Sequence, residues 1–556
     1  MLRCSRTLQA IATAVVVMAS ATEAHAQMGH DGRWLTRGGR PVYLVGFDCQ
    51  ELASDPSIDY VAALDAFVSH RVNRVRIWTY TWFGGPAFMA PWHFDESAGR
   101  YDLDRWNEDY WARLQDFVAE AQRRDIVVEV SIFAPYPNAD WWWSDPDSRL
   151  AWNAENNVNG VFWANDRGVF YPQFFDLDLP DRSNSGRTLR DYQQALVDEV
   201  VARLGRFDNV FLEIANEFAV EDVGATAGGI HDVHGWQSHW AQRVADTSAL
   251  PVSAHVQAIS PYSYASVEGA QYFRDDPSID VLSFRFNTSP DEISAHLHDL
   301  QDSGKVLSVN ESSGTADFYA DLDLQMHYAW GMLMSGGYFA LYEDDSSRVG
   351  SAGWTAGAER LEVMRDIVES APFWELSPVD GSGAEYDDLV HGGPAAGWQV
   401  LASPGRAYIV FFWGEATGSD VTMDMGSAPL DYAWRDPRDG SFLGEGRTDG
   451  STGVVPGPAS GFGDTTGIVL VLRDPAVPTD PPSALPDGGT SGSPDAGQSG
   501  RADGGPGVDP TGSATRPDGA SSARLTGGCA IAEGRPCPGL VLLVGAALGV
   551  LRRRRR

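Results

Sequence analysis

The stretch Val210-Phe211-Leu212-Glu213-Ile214-Ala215-Asn216-Glu217 follows a helical pattern, Leu189 to Leu204, in which apolar residues recur at i, i+3 and i+4. A short apolar run directly after such a helix reads as a buried strand of a βα repeat. Working outward from it, seven further strand candidates stand in the chain: Val42 to Phe47, Val72 to Trp78, Ile126 to Phe133, Val252 to Val256, Ile279 to Phe284, Lys305 to Val309 and Gly337 to Leu341. Helical patterns such as Tyr60 to Ser69 and Trp106 to Arg123 separate several of them. Eight such units between residues 27 and 372 predict an α/β fold, a (β/α)8 TIM barrel with enlarged loops. A doubly wound open sheet would want a Gly-rich phosphate turn after its first strand, and Gly46-Phe47-Asp48-Cys49 is not one.

The pattern changes on either side of the barrel. Residues 377–473 break into short alternating segments, among them Gln399 to Ala402, Ala407 to Trp413, Val421 to Met425 and Ile468 to Leu472, which predict a small antiparallel β-sandwich. Residues 474–527 collapse into Pro, Gly, Asp, Ser and Ala, too poor in large apolar groups to offset the entropy of ordering, and read as a linker. Residues 1–26 combine Arg3 and Arg6, an apolar run from Leu8 and an Ala24-His25-Ala26 cleavage pattern, the three parts of a secretory signal peptide. Residues 528–556 hold Gly528-Cys529, a 13-residue apolar stretch from Gly539 to Leu551, and Arg552 to Arg556. That stretch falls short of the roughly 20 residues that span a bilayer.

Composition excludes several function classes. The 556 residues carry a net charge of −35, so a phosphate-tracking surface, which needs clustered Lys and Arg, is ruled out and no nucleic-acid partner is expected. With hydrophobic residues at 43%, wholesale disorder is excluded too. Three cysteines outside the signal peptide, Cys49, Cys529 and Cys537, are too few for a disulfide scaffold, and Cys49 is expected in the core.

Barrel enzymes keep their chemistry at the C-terminal ends of the strands. Two apolar strands end there in a carboxylate: the fourth in Asn216-Glu217, the seventh in Val309-Asn310-Glu311. Cleaving a glycosidic bond with retention takes one carboxylic acid to protonate the leaving oxygen and one carboxylate to attack the anomeric carbon, about 5–5.5 Å apart. Strand ends across a barrel mouth can supply that pair. Glu213, a turn deeper than Glu217, is expected to be a polar residue of the barrel core.

Phe211 to Glu217 resembles the F-E-I-A-N-E segment of clan A glycoside hydrolases, particularly family 5. The resemblance implies Glu217 as general acid/base and Glu311 as nucleophile, 94 residues apart. Asn73-Arg74-Val75-Arg76-Ile77 is similar to the family's N-x-V-R-I element and implies Arg76 beneath the nucleophile, where a guanidinium would hold Glu311 ionised. Glu217 would keep its proton through desolvation and a nearby second carboxylate. Asn216 would bond a sugar 2-hydroxyl. The chain departs from the family at Phe218, where a Pro is usual, and at Phe284-Arg285-Phe286-Asn287, where a His-Tyr element is usual. The tyrosine that partners the nucleophile is therefore unassigned, with Arg285, Asn287 and Tyr342 as candidates, and His255 is expected to face the cleft.

Sugar rings pack their C–H faces on aromatic side chains, and many of the 19 tryptophans fall in barrel loops. Trp78, Trp82 and Trp142 are the candidate platforms, since three consecutive residues, Trp141 to Trp143, cannot all face inward. Val400 to Tyr408 and Trp434 to Gly440 resemble segments of the β domain that follows barrels in relatives of family 5, a module often labelled collagen-binding, and a structural cap is the expected role. The C-terminal segment resembles a myxobacterial-type sorting tail, with an ordinary membrane anchor held by its arginines as the alternative.

Together these features lead us to expect a secreted, surface-tethered, monomeric retaining glycoside hydrolase acting on a β-linked polysaccharide or its oligosaccharides, β-mannan or β-glucan being the guess. Its membrane contact would be confined to the tail. No metal or organic cofactor is expected. Glu343-Asp344-Asp345 lack the spaced ligands of a calcium loop and read as a cleft rim or solvated turn. The rival functions are a catalytically silent lectin or adhesin, and a metallohydrolase using His231, His234 and His239.

Overall fold

The computed structural model describes residues 27–80, 88–133, 151–152, 154–161, 172–180, 182–216, 233–256, 267–284, 293, 297, 300–310, 321–343, 345–379, 389–416, 420–450, 453–458 and 467–481. Eight parallel strands close into a barrel. In chain order they are Val45–Asp48, Arg74–Trp78, Val127–Phe133, Val210–Ala215, Val252–His255, Val281–Phe284, Val306–Val309 and Gly337–Tyr342. All eight coincide with the sequence expectation to within three residues at either end. The eighth pairs with the first, Leu341 opposite Phe47, which closes the ring.

Helices wrap the barrel, and their starts are chemically fixed. Asp59 caps Tyr60–Ser69, Asn107 caps Glu108–Arg123, and Thr188 forms a reciprocal capping box with Asp191 at the head of Leu189–Leu204. The strand alternation sorts side chains into two environments. Val75, Ile77, Val128, Val130 and Ile132 pack outward against the helices, whereas Arg74, Arg76, Glu129, Ser131 and Glu213 occupy the interior. Gly46 allows the first two strands to approach: a Cβ there would lie 2.3 Å from the carbonyl oxygen of Arg74.

Beyond the barrel lie a six-stranded and a three-stranded antiparallel sheet. Along the strand Ala407–Ala416, Tyr408, Val410 and Phe412 face the core shared by the two sheets, while Ile409, Phe411 and Trp413 join the barrel core. Phe411 stacks on Trp330 of the barrel helix Leu322–Met334, with centroids 5.5 Å apart. One face of the larger sheet is thus continuous with the barrel packing. The segment after the last strand, Ile468–Arg473, reaches the barrel face where strands begin, and Arg40 Nη2 donates to the carbonyl of Pro481 there.

Candidate active site

The interior of the barrel carries a buried ionic network at the height of the strand ends. Asp48, Arg76 and Glu129 are lateral neighbours across the first three strands. Arg76 is fully buried and is the centre of the network. Its Nη1 donates to Asp48 Oδ2 at 2.8 Å; its Nε and Nη2 donate to Glu213 Oε2 at 3.1 and 2.6 Å; Nη2 also donates to Asn216 Oδ1 at 2.6 Å. The second oxygen of Glu213 accepts from Asn310 Nδ2 and lies 3.5 Å from His255 Nδ1. Asn310 Nδ2 also donates to Glu129 Oε1 at 3.2 Å, and Glu129 Oε2 pairs with Arg74 Nη2 at 2.5 Å.

Three carboxylates and two guanidinium groups with side chains at most 1% exposed are costly to remove from water. Such a group holds together only where nearly every lone pair finds a donor, so each member constrains the others. The network therefore links strands two and three, from within, to the ends of strands one, four, five and seven, forming one floor. Around it Ser253 and Ser283 share a 2.6 Å hydroxyl contact, and the Gln237 side chain bonds both backbone groups of His255, fixing the end of strand five.

The expected site residues fall out as follows. Glu217, Glu311, Trp82 and Trp142 lie outside the described residues, as do Arg285, Asn287 and His231. Arg76 and Asn216 come together. The guanidinium holds the amide oxygen of Asn216, so the amide NH2 is turned away from it. The described partners of Arg76 are Asp48, Glu213 and Asn216. Glu213 is the core residue expected.

His255 is fully buried beside Glu213. Trp78 is 3% exposed, with the Arg76 guanidinium 6.0 Å from its ring centroid, so its indole packs over the network. Tyr342 is half-buried at the end of strand eight. Cys49 is buried among Glu343, Asp48 and Glu51, and burial first, then these carboxylates, push its thiol well above the usual range.

Glu343, expected at a cleft rim or in a solvated turn, is not solvated. It is fully buried and its Oε1 takes two donors from Arg348, at 2.8 and 2.5 Å, while Asp345 caps a short 3-10 helix. His234 stacks on Tyr272 at 4.0 Å and His239 lies edge-on to Trp240, and no cluster of metal ligands occurs among the described residues. Sequence reasoning passed over Asp48, Glu129 and Asn310. A charged residue inside an otherwise apolar strand, Val127-Val128-Glu129-Val130, was the available signal for one of them.

No protein-family model matches the chain, and no curated protein matches it by sequence. Solved structures do. A glycoside hydrolase family 5 structure from Bacteroides vulgatus aligns with a TM-score of 0.54 at 13% identity, over 83% of this chain and 95% of that one. A second structure from the same organism gives 0.54 at 13%, over 81% and 83%. A further structure described as a glycoside hydrolase gives 0.53 at 12% identity, over 82% and 98%. At these identities the likeness establishes the fold, a (β/α)8 barrel with antiparallel sheets after it.

Proposed function

We propose that this chain is a retaining glycoside hydrolase that cleaves O-glycosidic bonds in a β-linked polysaccharide, with β-mannan and β-glucan the first substrates to try. The observation that carries this reading is the buried floor just described, whose Asn216 and Asn310 each directly precede a carboxylate in sequence, Glu217 and Glu311. A barrel that buries two arginines in its interior, one of them gripping Asn216, has a reason to hold that strand end still. The glycoside hydrolases among its structural neighbours support the same class.

In this mechanism Glu217 gives its proton to the glycosidic oxygen as Glu311 attacks the anomeric carbon. The C–O bond to the leaving group breaks and a glycosyl ester forms on Glu311. Water then attacks the same carbon, Glu217 takes its proton, and the sugar leaves with its original configuration. The two carboxylates and water account for every proton and electron pair. Asn216, with its NH2 turned from Arg76, is suited to donate to a sugar hydroxyl.

Export by the N-terminal segment and retention at the cell surface by residues 528–556 complete the proposal.

Azide rescue tests the roles. With an activated aryl β-glycoside, Glu311→Ala plus azide should yield the α-glycosyl azide and Glu217→Ala plus azide the β-anomer. No rescue at either position, or the opposite anomers, would overturn the assignment.

A further inference from the structure

We propose that Glu213 is a positioning residue: paired with Arg76, it sets the spacing between the strand ends that carry Glu217 and Glu311. The inference rests on the glycosidase reading and deepens it.

Glu213 uses both carboxylate oxygens. Oε2 is gripped by Arg76 through two donors, and Oε1 takes Asn310 Nδ2. The same Arg76 Nη2 that binds Glu213 also holds Asn216 Oδ1. One ion pair, fully enclosed, therefore grips the residue immediately before Glu217 on strand four and the residue immediately before Glu311 on strand seven. These two strands are not neighbours in the barrel, so no ladder of backbone hydrogen bonds fixes their separation directly. The side-chain path from Asn216 through Arg76 and Glu213 to Asn310 is a direct strut across the interior.

The separation matters chemically. Retaining enzymes hold their carboxylates about 5–5.5 Å apart and inverting ones about 6.5–9.5 Å, so the tolerance is on the order of an ångström. A misplacement of that size in a reacting group costs on the order of 10²-fold in rate. Binding of the rest of the sugar chain does not depend on it.

The test compares the full chain with Asn310→Ala, Glu213→Gln and the double variant on dinitrophenyl β-mannoside and β-glucoside, and times covalent labelling by the matching 2-fluoro sugars. Asn310→Ala leaves the Arg76–Glu213 pair intact and serves where Glu213→Gln fails to fold. Each single variant is expected to lose about 100-fold in kcat and in labelling rate with KM changed less than about threefold. The double variant should be no slower than the worse single one, because both cut the same strut. An active wild type whose Asn310→Ala variant keeps its kcat, or variants whose losses multiply, would overturn this inference alone. A wild type neither active nor labelled would overturn the glycosidase reading and this one with it.

Discussion

Replacing Glu129 by alanine leaves the Arg74 guanidinium charged inside the barrel without its carboxylate. Arg74 is 1% exposed, and the 2.5 Å contact with Glu129 is its ion pair in the structure. Removing one member of a buried pair costs about 3–5 kcal/mol, chiefly the desolvation of the charge left behind. Dividing by an unfolding entropy of about 2.1 cal/mol/K per residue over roughly 350 barrel residues gives a fall in Tm of about 4–7 °C. Arg74→Met likewise strands the Glu129 carboxylate without its guanidinium.

The double variant Arg74→Met/Glu129→Ala removes both charges together. It should recover about 0.5–3 kcal/mol relative to the sum of the single losses. Urea denaturation followed by near-UV circular dichroism, with calorimetry for Tm, measures all four proteins. A Glu129→Ala Tm within about 1 °C of wild type, or strictly additive losses, would refute the idea that the floor is held by mutually dependent buried charges.

Two further outcomes follow from local packing. His327 lies against Phe411 and Trp413 where the barrel meets the larger sheet, and burial pushes its pKa down to about 4. The unfolded chain then binds the proton first, so stability should fall as pH drops from about 6.5 to about 4, by about 3 kcal/mol, and this loss should flatten below that. In His327→Leu the slope of Tm against pH over that window should be shallower; an unchanged slope would exclude His327 as its source. Gly46→Ala would press a methyl group into the Arg74 backbone and should cost at least about 1–3 kcal/mol, read as a lower urea midpoint, whereas an unchanged midpoint would show that the two strands separate freely.

The barrel was legible because its strands are continuous apolar runs bracketed by amphipathic helices, a pattern set by local periodicity. The antiparallel sheets after the barrel were legible through period-two alternation, and the split of Val410 and Phe411 between two cores shows what that alternation encodes. The floor of the site was legible only in part. Glu213 stood out because it sits inside a strand whose neighbours are apolar. Glu129 carried the same local signal, unused; Asp48 and Asn310 did not, because their importance comes from contacts among strands distant in sequence, which no local pattern reports. Glu343 erred in the opposite direction. A charged residue after a strand reads as solvated, but here Arg348 folds back over it.

Reducing-sugar release by the purified chain on soluble β-mannans, β-glucans, xylans and arabinogalactans, with Glu217→Gln and Glu311→Gln alongside, tests the central claim most directly. The account predicts release from at least one polymer by the wild type and losses of about 10³-fold or more in both variants, with folding unchanged. Wild-type silence across the panel despite measurable polysaccharide binding, or near-normal release by either variant, would contradict it.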